Sequence, residues 1–255
     1  MKRIPLFTGI LVALAFVGAA SAQNPCNPCG GKKHANPCGM KAHAINPCHA
    51  KMGTVFHIAD PMNRNVVSFE SDAPLEDIVG TSNMVQGYVV FDPNKPKGGV
   101  RGELMVPVTS LDTGIPLRDE HLQSAMWLNA KAHPHITMHI NGASKVKKVK
   151  STGDFATYSM TVQGEFSVNG KSQKVKIPVK VTFLKQSEQT KQLLPGDLLA
   201  GRGEFEVSLS DHGVKGMEGV VGSKVNDTIN VKVSFTASSE APEMAMNPCG
   251  GKAAK

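Results

Sequence analysis

From residue 53 to residue 237 apolar and polar side chains take turns along the chain, and this two-residue period most constrains the fold. Tyr158, Met160, Val162 and Phe166 alternate with Ser159, Thr161, Gln163 and Glu165. Val175, Ile177, Val179, Val181 and Phe183 alternate with Lys174, Lys176 and Lys180. Val67 and Phe69 share one face, as do Gly102, Leu104, Val106 and Val108. So do Phe205, Val207 and Leu209, and likewise Ile229, Val231, Val233 and Phe235. Neighbouring side chains of a strand point to opposite sides, so each run has one dry and one wet face. Turn words separate the runs: Asp92-Pro93-Asn94, Lys97-Gly98-Gly99, Asn141-Gly142, Asn169-Gly170, Pro195-Gly196-Asp197 and His212-Gly213. Asn169-Gly170 between two alternating runs is a strong hairpin signal. The expectation is an all-β domain of about eight antiparallel strands, a number that closes into a barrel holding one ligand. A β-sandwich carries the same period, so alternation alone does not choose between the two.

One stretch breaks the period. From Val106 to Ile140 the chain reads as strand, turn, short amphipathic helix near Asp119 to Ser124, turn and strand. Its centre is SLDTGIPLRDEHLQS, in which Leu111, Asp112, Thr113, Gly114, Arg118, Asp119, His121 and Leu122 form the motif. Around it stand VFHIADPMNRNVVSFES, GYVVFDPNKP, VQGEFSVNGKSQKVKIPVKV and SDHGV followed by VGSKVNDTINVKVSF. Together these words resemble the YceI-like family of periplasmic polyisoprenoid-binding proteins, over nearly all of Val55 to Ala237. The resemblance implies an extended, lipocalin-like antiparallel barrel that encloses an isoprenoid or similar lipid tail. Leu209 and His212 depart from the family pattern, standing where it has an arginine and an aromatic residue.

A long prenyl chain is held by non-directional burial, roughly 25 cal/mol per Å² of apolar surface. Such a site needs many aliphatic and aromatic side chains and few polar anchors. The dry faces supply Val67, Phe69, Met84, Leu122, Trp127, Ile136, Met138, Tyr158, Met160, Val162, Phe166, Val181, Phe183, Phe205 and Val207 as the candidate wall. Met84, Met138 and Met160 are adaptable fillers among them. Alternation is equally compatible with a solid core; the family resemblance favours the hollow one. Arg118 is the candidate partner for an anionic head group at the barrel mouth or for an acidic neighbour. Asp112 and Thr113 suit the turn before Gly114, and Asp119 complements the helix dipole.

The ends differ from the middle. Lys2 and Arg3 precede an apolar run from Ile4 to Ala20, and Ala20-Ser21-Ala22 is a small-x-small cleavage site. Residues 1–22 are therefore expected to be a signal peptide, and the mature protein to be exported to the periplasm of a Gram-negative-type bacterium. Removing Lys2 and Arg3 lowers the net charge of +7 by two. Only one Trp and two Tyr accompany the lysines, which argues against a nucleic-acid groove. Transient contact with a membrane surface suits a mildly basic lipid carrier better.

Residues 23–52 form a low-complexity leader with too few large apolar side chains to offset chain entropy, and residues 238–255 form a similar tail. Both contain NPCGGK, and all five cysteines sit in Asn-Pro-Cys words. Cys26, Cys29, Cys38 and Cys48, with His34, His43 and His49, are a candidate Zn or Cu set. Disulfides, including a cross-linked homodimer, are the competing fate of exported thiols.

No G-x-S-x-G, H-E-x-x-H or phosphate-cradling loop occurs. The leading expectation is a binding protein, not an enzyme, with no required cofactor and an apolar lipid as ligand. The alternative is a metal-handling or redox protein that works through the Cys/His leader and uses the barrel as scaffold.

Overall fold

Alternation becomes ten strands in the computed structural model, which describes residues 45–242. They are β1 Thr54–Ile58, β2 Val66–Asp72, β3 Asp77–Ser82, β4 Gln86–Phe91 and β5 Arg101–Pro107. There follow β6 His135–Thr152, β7 Phe155–Val168, β8 Lys171–Leu184, β9 Leu198–Ser208 and β10 Thr228–Ser238. Among the described residues three α-helices accompany them: α1 Pro47–Ala50, α2 Pro116–Gln123 and α3 Glu188–Lys191. In β7 every second residue from Ala156 to Val168 is buried, as the two-residue period requires.

The strands pair antiparallel in the order β1-β4-β5-β6-β7-β8-β9-β10, and β10 returns to β1 at His57 and Ser238. That last pairing closes an eight-strand barrel and settles the choice that the period leaves open. β2 and β3 add a hairpin that extends the wall, β2 pairing with β10 over Val66–Glu70. The turn between β1 and β2 is held by buried Asp60, which accepts from the Met62 and Arg64 amides at 3.1 and 2.9 Å. The Arg64 guanidinium adds bonds of 2.7 and 2.8 Å. Burial alone would raise the Asp60 pKa, but the hydrogen bonds from Arg64 and the backbone outweigh it and hold the carboxyl below its usual range.

Asn169 and Gly170 both have positive φ, 48° and 72°, and join β7 to β8 as the expected tight hairpin. Asn141-Gly142 is not a turn. It lies inside the 18-residue β6, where the register with β7 shifts between Ile140 and Gly142 and twice more beyond Ser144. Bulges bend and twist a strand, and here they let one long strand follow the barrel's curvature. The helix also begins earlier than expected, at Pro116, because proline at the first helical position gives up an amide that has no intrahelical partner. None of its residues is fully buried, and Leu122, half-buried, packs against the core.

Residues 46–49, ahead of the expected boundary at Gly53, form a short helical turn that contacts Tyr88 of β4. Asn46 caps α1, its Oδ1 accepting from the Cys48 amide at 3.0 Å. The Asn46 amide donates to the Tyr88 hydroxyl at 3.2 Å, and His49 Nδ1 lies 3.0 Å from the same hydroxyl. An asparagine cap and a proline at the first position make a local turn that needs no apolar core. Residues 1–44 and 243–255 lie outside the described residues, and with them the expected signal peptide, most of the leader and the NPCGGK tail.

One end of the barrel is stoppered by side chains. Phe56 meets Phe183 edge-on at 6.2 Å, and Phe91 meets Tyr158 edge-on at 5.4 Å. The Tyr158 hydroxyl donates to Pro93 O at 3.0 Å, and burial raises its pKa. The opposite end is framed by α2, Trp127, Leu128 and the β9–β10 connection, all of which contribute to the cavity described next.

Candidate functional site

A cavity of about 420 Å³ occupies the barrel on the α2 side of the stopper. Its wall repeats the inward faces of the strands: Val67 and Phe69 from β2, Leu104 and Val106 from β5, Ile136 and Met138 from β6. Phe166, Ile177, Phe205, Val207, Ile229 and Val231 complete the circuit through β7, β8, β9 and β10. Phe166 and Phe205 stand edge-on at 5.1 Å. Trp127, Leu128, Leu122 and Val214 roof the space. Polar side chains are few: among them Glu76, Thr113, Arg118, His121 and Lys224, contributed by α2 and by loops outside the closed ring of strands. The volume falls in the usual range for small-molecule sites, and the chemistry is that of an apolar body with a polar rim. A smaller chamber of about 70 Å³ lies deeper, bordered by Met160, Val162 and Val181 among others.

Nine of the fifteen expected wall residues line the main cavity: Val67, Phe69, Leu122, Trp127, Ile136, Met138, Phe166, Phe205 and Val207. Met160, Val162 and Val181 line the small chamber instead, which Met138 also borders. Tyr158 and Phe183 belong to the stopper, and Met84 borders neither space. Alternation assigns a face but not a height along the barrel, so wall and stopper look alike in sequence. The residue after Met84, Val85, takes the place in the wall. Val214, Val220 and Val225 line the cavity without being expected there, because the β9–β10 connection has no period to read.

The SLDTG motif fastens the roof. Asp112 Oδ1 accepts from the Gly114 amide at 2.7 Å, with Gly114 at φ +76°. Asp119 Oδ1 accepts from the Thr113 amide at 2.9 Å and from its hydroxyl at 2.6 Å. The Asp112 backbone exchanges two hydrogen bonds with Thr81, at 2.8 and 2.9 Å, so the motif ties the start of α2 to β3. Arg118 pairs with Glu76 across the rim, which fills the acidic-neighbour role and orients its guanidinium at the mouth. His212 is buried, edge-on to Phe166 at 5.8 Å, with Nδ1 2.9 Å from Ser208 O.

Of the expected metal set, Cys48 is exposed and has no disulfide partner among the described residues, and His49 faces Tyr88. Cys26, Cys29, Cys38, His34 and His43 lie outside the described residues. Among the described residues no three His, Cys, Asp or Glu side chains are grouped to hold a metal ion.

Comparison with known proteins gives this architecture its family. The YceI-like domain matches residues 57–237. The chain belongs to the YceI-like domain family. A UPF0312 protein of Azotobacter vinelandii is 29% identical over 156 residues, covering 61% of this chain and 73% of that protein. A UPF0312 protein of Pectobacterium atrosepticum is 31% identical over 104 residues, covering 41% of this chain; the match spans about half of that relative, 48%. Among solved structures, Burkholderia cenocepacia BcnA superposes with a TM-score of 0.54 at 20% identity, covering 71% of this chain and 100% of that one. A polyisoprenoid binding domain from Saccharophagus degradans gives 0.52 at 10% identity, covering 73% and 98%. These likenesses establish the YceI-like barrel.

Proposed function

We propose that this YceI-like protein is an exported carrier that holds a long apolar chain, an isoprenoid or similar lipid, inside its barrel. The observation that carries the reading is the cavity of about 420 Å³ whose wall is built from the inward faces of the strands. Burying a chain there gains about 0.8 kcal/mol per methylene, and no directional anchor is needed. The rim offers Arg118, His121 and Lys224 to a polar or anionic head group. A structural relative described as a polyisoprenoid binding domain supports the ligand class. Export rests on the basic, apolar and small-x-small pattern of residues 1–22.

Loading would take place at a membrane surface. Leu75 and Leu117 are 71% and 62% exposed, and Ile115, Met126 and Met217 are exposed too. Ile115, Leu117 and Met217 border the cavity; the Leu75 amide bonds to Ser223 O in the β9–β10 connection, and Met126 O accepts from Gly216. Exposed apolar side chains gathered at one opening mark an interaction surface.

The test is mass spectrometry of the organic extract of native protein, joined to titration of the single tryptophan, Trp127, whose indole lines the cavity. A prenyl lipid in the extract and a ligand-dependent shift of Trp127 emission are expected. An extract free of lipid and emission indifferent to prenyl alcohols would overturn the reading.

A further inference from the structure

The two chambers share part of their walls. Leu104, Met138, Ile177 and Val233 border both, and they come from β5, β6, β8 and β10, so they form a ring around the lumen. The intervening strands contribute glycine at this level. On β7, Gly164 falls in the inward series between Val162 and Phe166 and pairs with Ile140 and Val175. On β9, Gly203 pairs with Val179 and Val233. A Cβ placed on Gly164 would stand 2.9 Å from Met138 Cε, so the methionine methyl lies over bare backbone. That same Cβ would stand 2.0 Å from His139 O, which rules out any larger residue beside it.

The four ring members differ in freedom. Ile177 and Val233 are β-branched and stiff at their first torsion. Methionine is unbranched, with three rotatable bonds, and adapts its shape at little cost. Behind the ring the small chamber adds about one sixth to the main volume. Phe91 and Leu199, both buried, border it. Phe91 in turn packs against Tyr158 in the stopper.

We propose that Met138 is the gate between the chambers and sets the length of apolar chain that the barrel accepts. With its side chain over Gly164 the chain end stops at the ring. With the side chain swung aside the chain runs into the small chamber and stops at the aromatic stopper. This rests on the carrier reading and adds a specificity-determining residue to it.

The experiment uses full-length protein, freed of lipid, and a graded series of linear all-trans prenyl alcohols that differ by one isoprene unit. Trp127 emission reports binding and native mass spectrometry reports stoichiometry. Affinity of the wild type should climb, by up to about fourfold per buried methylene, and then level off at a limiting length. Met138→Ala should move that limit to longer chains, while Met138→Phe should move it to shorter chains. If Met138→Ala does not fold, Val233→Ala opens the same ring from β10. An unchanged limit in a folded variant overturns the gate and leaves the carrier reading standing. A wild type that binds no member of the series overturns the carrier reading and the gate with it.

Discussion

Replacing Val106 with glutamate separates a hollow barrel from a solid one. Val106 is buried on β5, opposite Ile136 of β6, and faces the main cavity. Losing the valine side chain's burial costs about 1.5–3 kcal/mol. In a solid core the carboxylate would add a desolvation cost of several kcal/mol, and the total would rival the roughly 5–15 kcal/mol stability of a whole domain. In a cavity that opens at its rim, water hydrates the carboxylate and most of that second cost disappears. The melting temperature should then fall by about 3–12 °C, at roughly 2–4 °C per kcal/mol for a domain of this size.

Ligand binding takes the larger loss. An apolar chain beside the introduced carboxylate must strip it of water, at several kcal/mol. That is on the order of a thousandfold in affinity at about 1.4 kcal/mol per tenfold. Scanning calorimetry and mass spectrometry of the organic extract read the two effects, with Val106→Leu as the apolar control. A Val106→Glu protein that melts cooperatively and retains lipid at wild-type stoichiometry would refute the cavity as the ligand site. A chain with no cooperative transition would refute the hydrated interior.

Asp60→Ala should destabilise the barrel by about 3 kcal/mol, the low end for a broken buried pair because Arg64 is partly exposed; urea denaturation measures it, and lipid content per folded molecule should not change. His57 gives a pH signature. Burial holds its pKa below the ordinary 6.5, so the unfolded chain binds the proton more readily than the folded one. Its contribution is intact above about pH 6.5 and is lost as the pH falls from there toward the folded pKa. His57→Gln should therefore flatten the loss of stability over that window, as followed by melting temperature against pH.

Local chemistry was legible in the sequence where it is complete within a few residues. The Asn169-Gly170 hairpin follows from two positive φ angles that asparagine and glycine tolerate. The inward series of β7 and β8 follows from a period of two, and the same period on the other strands already names most of the cavity wall. It could not place those residues along the barrel axis. Tyr158 and Phe166 share one face of one strand, yet the first packs against Phe91 in the stopper and the second lines the cavity. Asn141-Gly142 carries the wording of a turn and forms a bulge, because the paired neighbour β7 continues past it.

The sequence by itself determined an all-β domain, the dry and wet faces of its strands, the helical interruption at SLDTG and the family to which these words point. Each depends on torsional preference or on contrast between adjacent side chains, which are local properties. Tertiary structure alone decided that the sheet closes, since the His57–Ser238 contact joins residues far apart in the chain and depends on twist summed over eight strands. It also decided that the interior is hollow. Whether facing side chains meet or leave a gap depends on the barrel's radius at each height, and glycines such as Gly164 and Gly203 act on that radius only through neighbours on other strands.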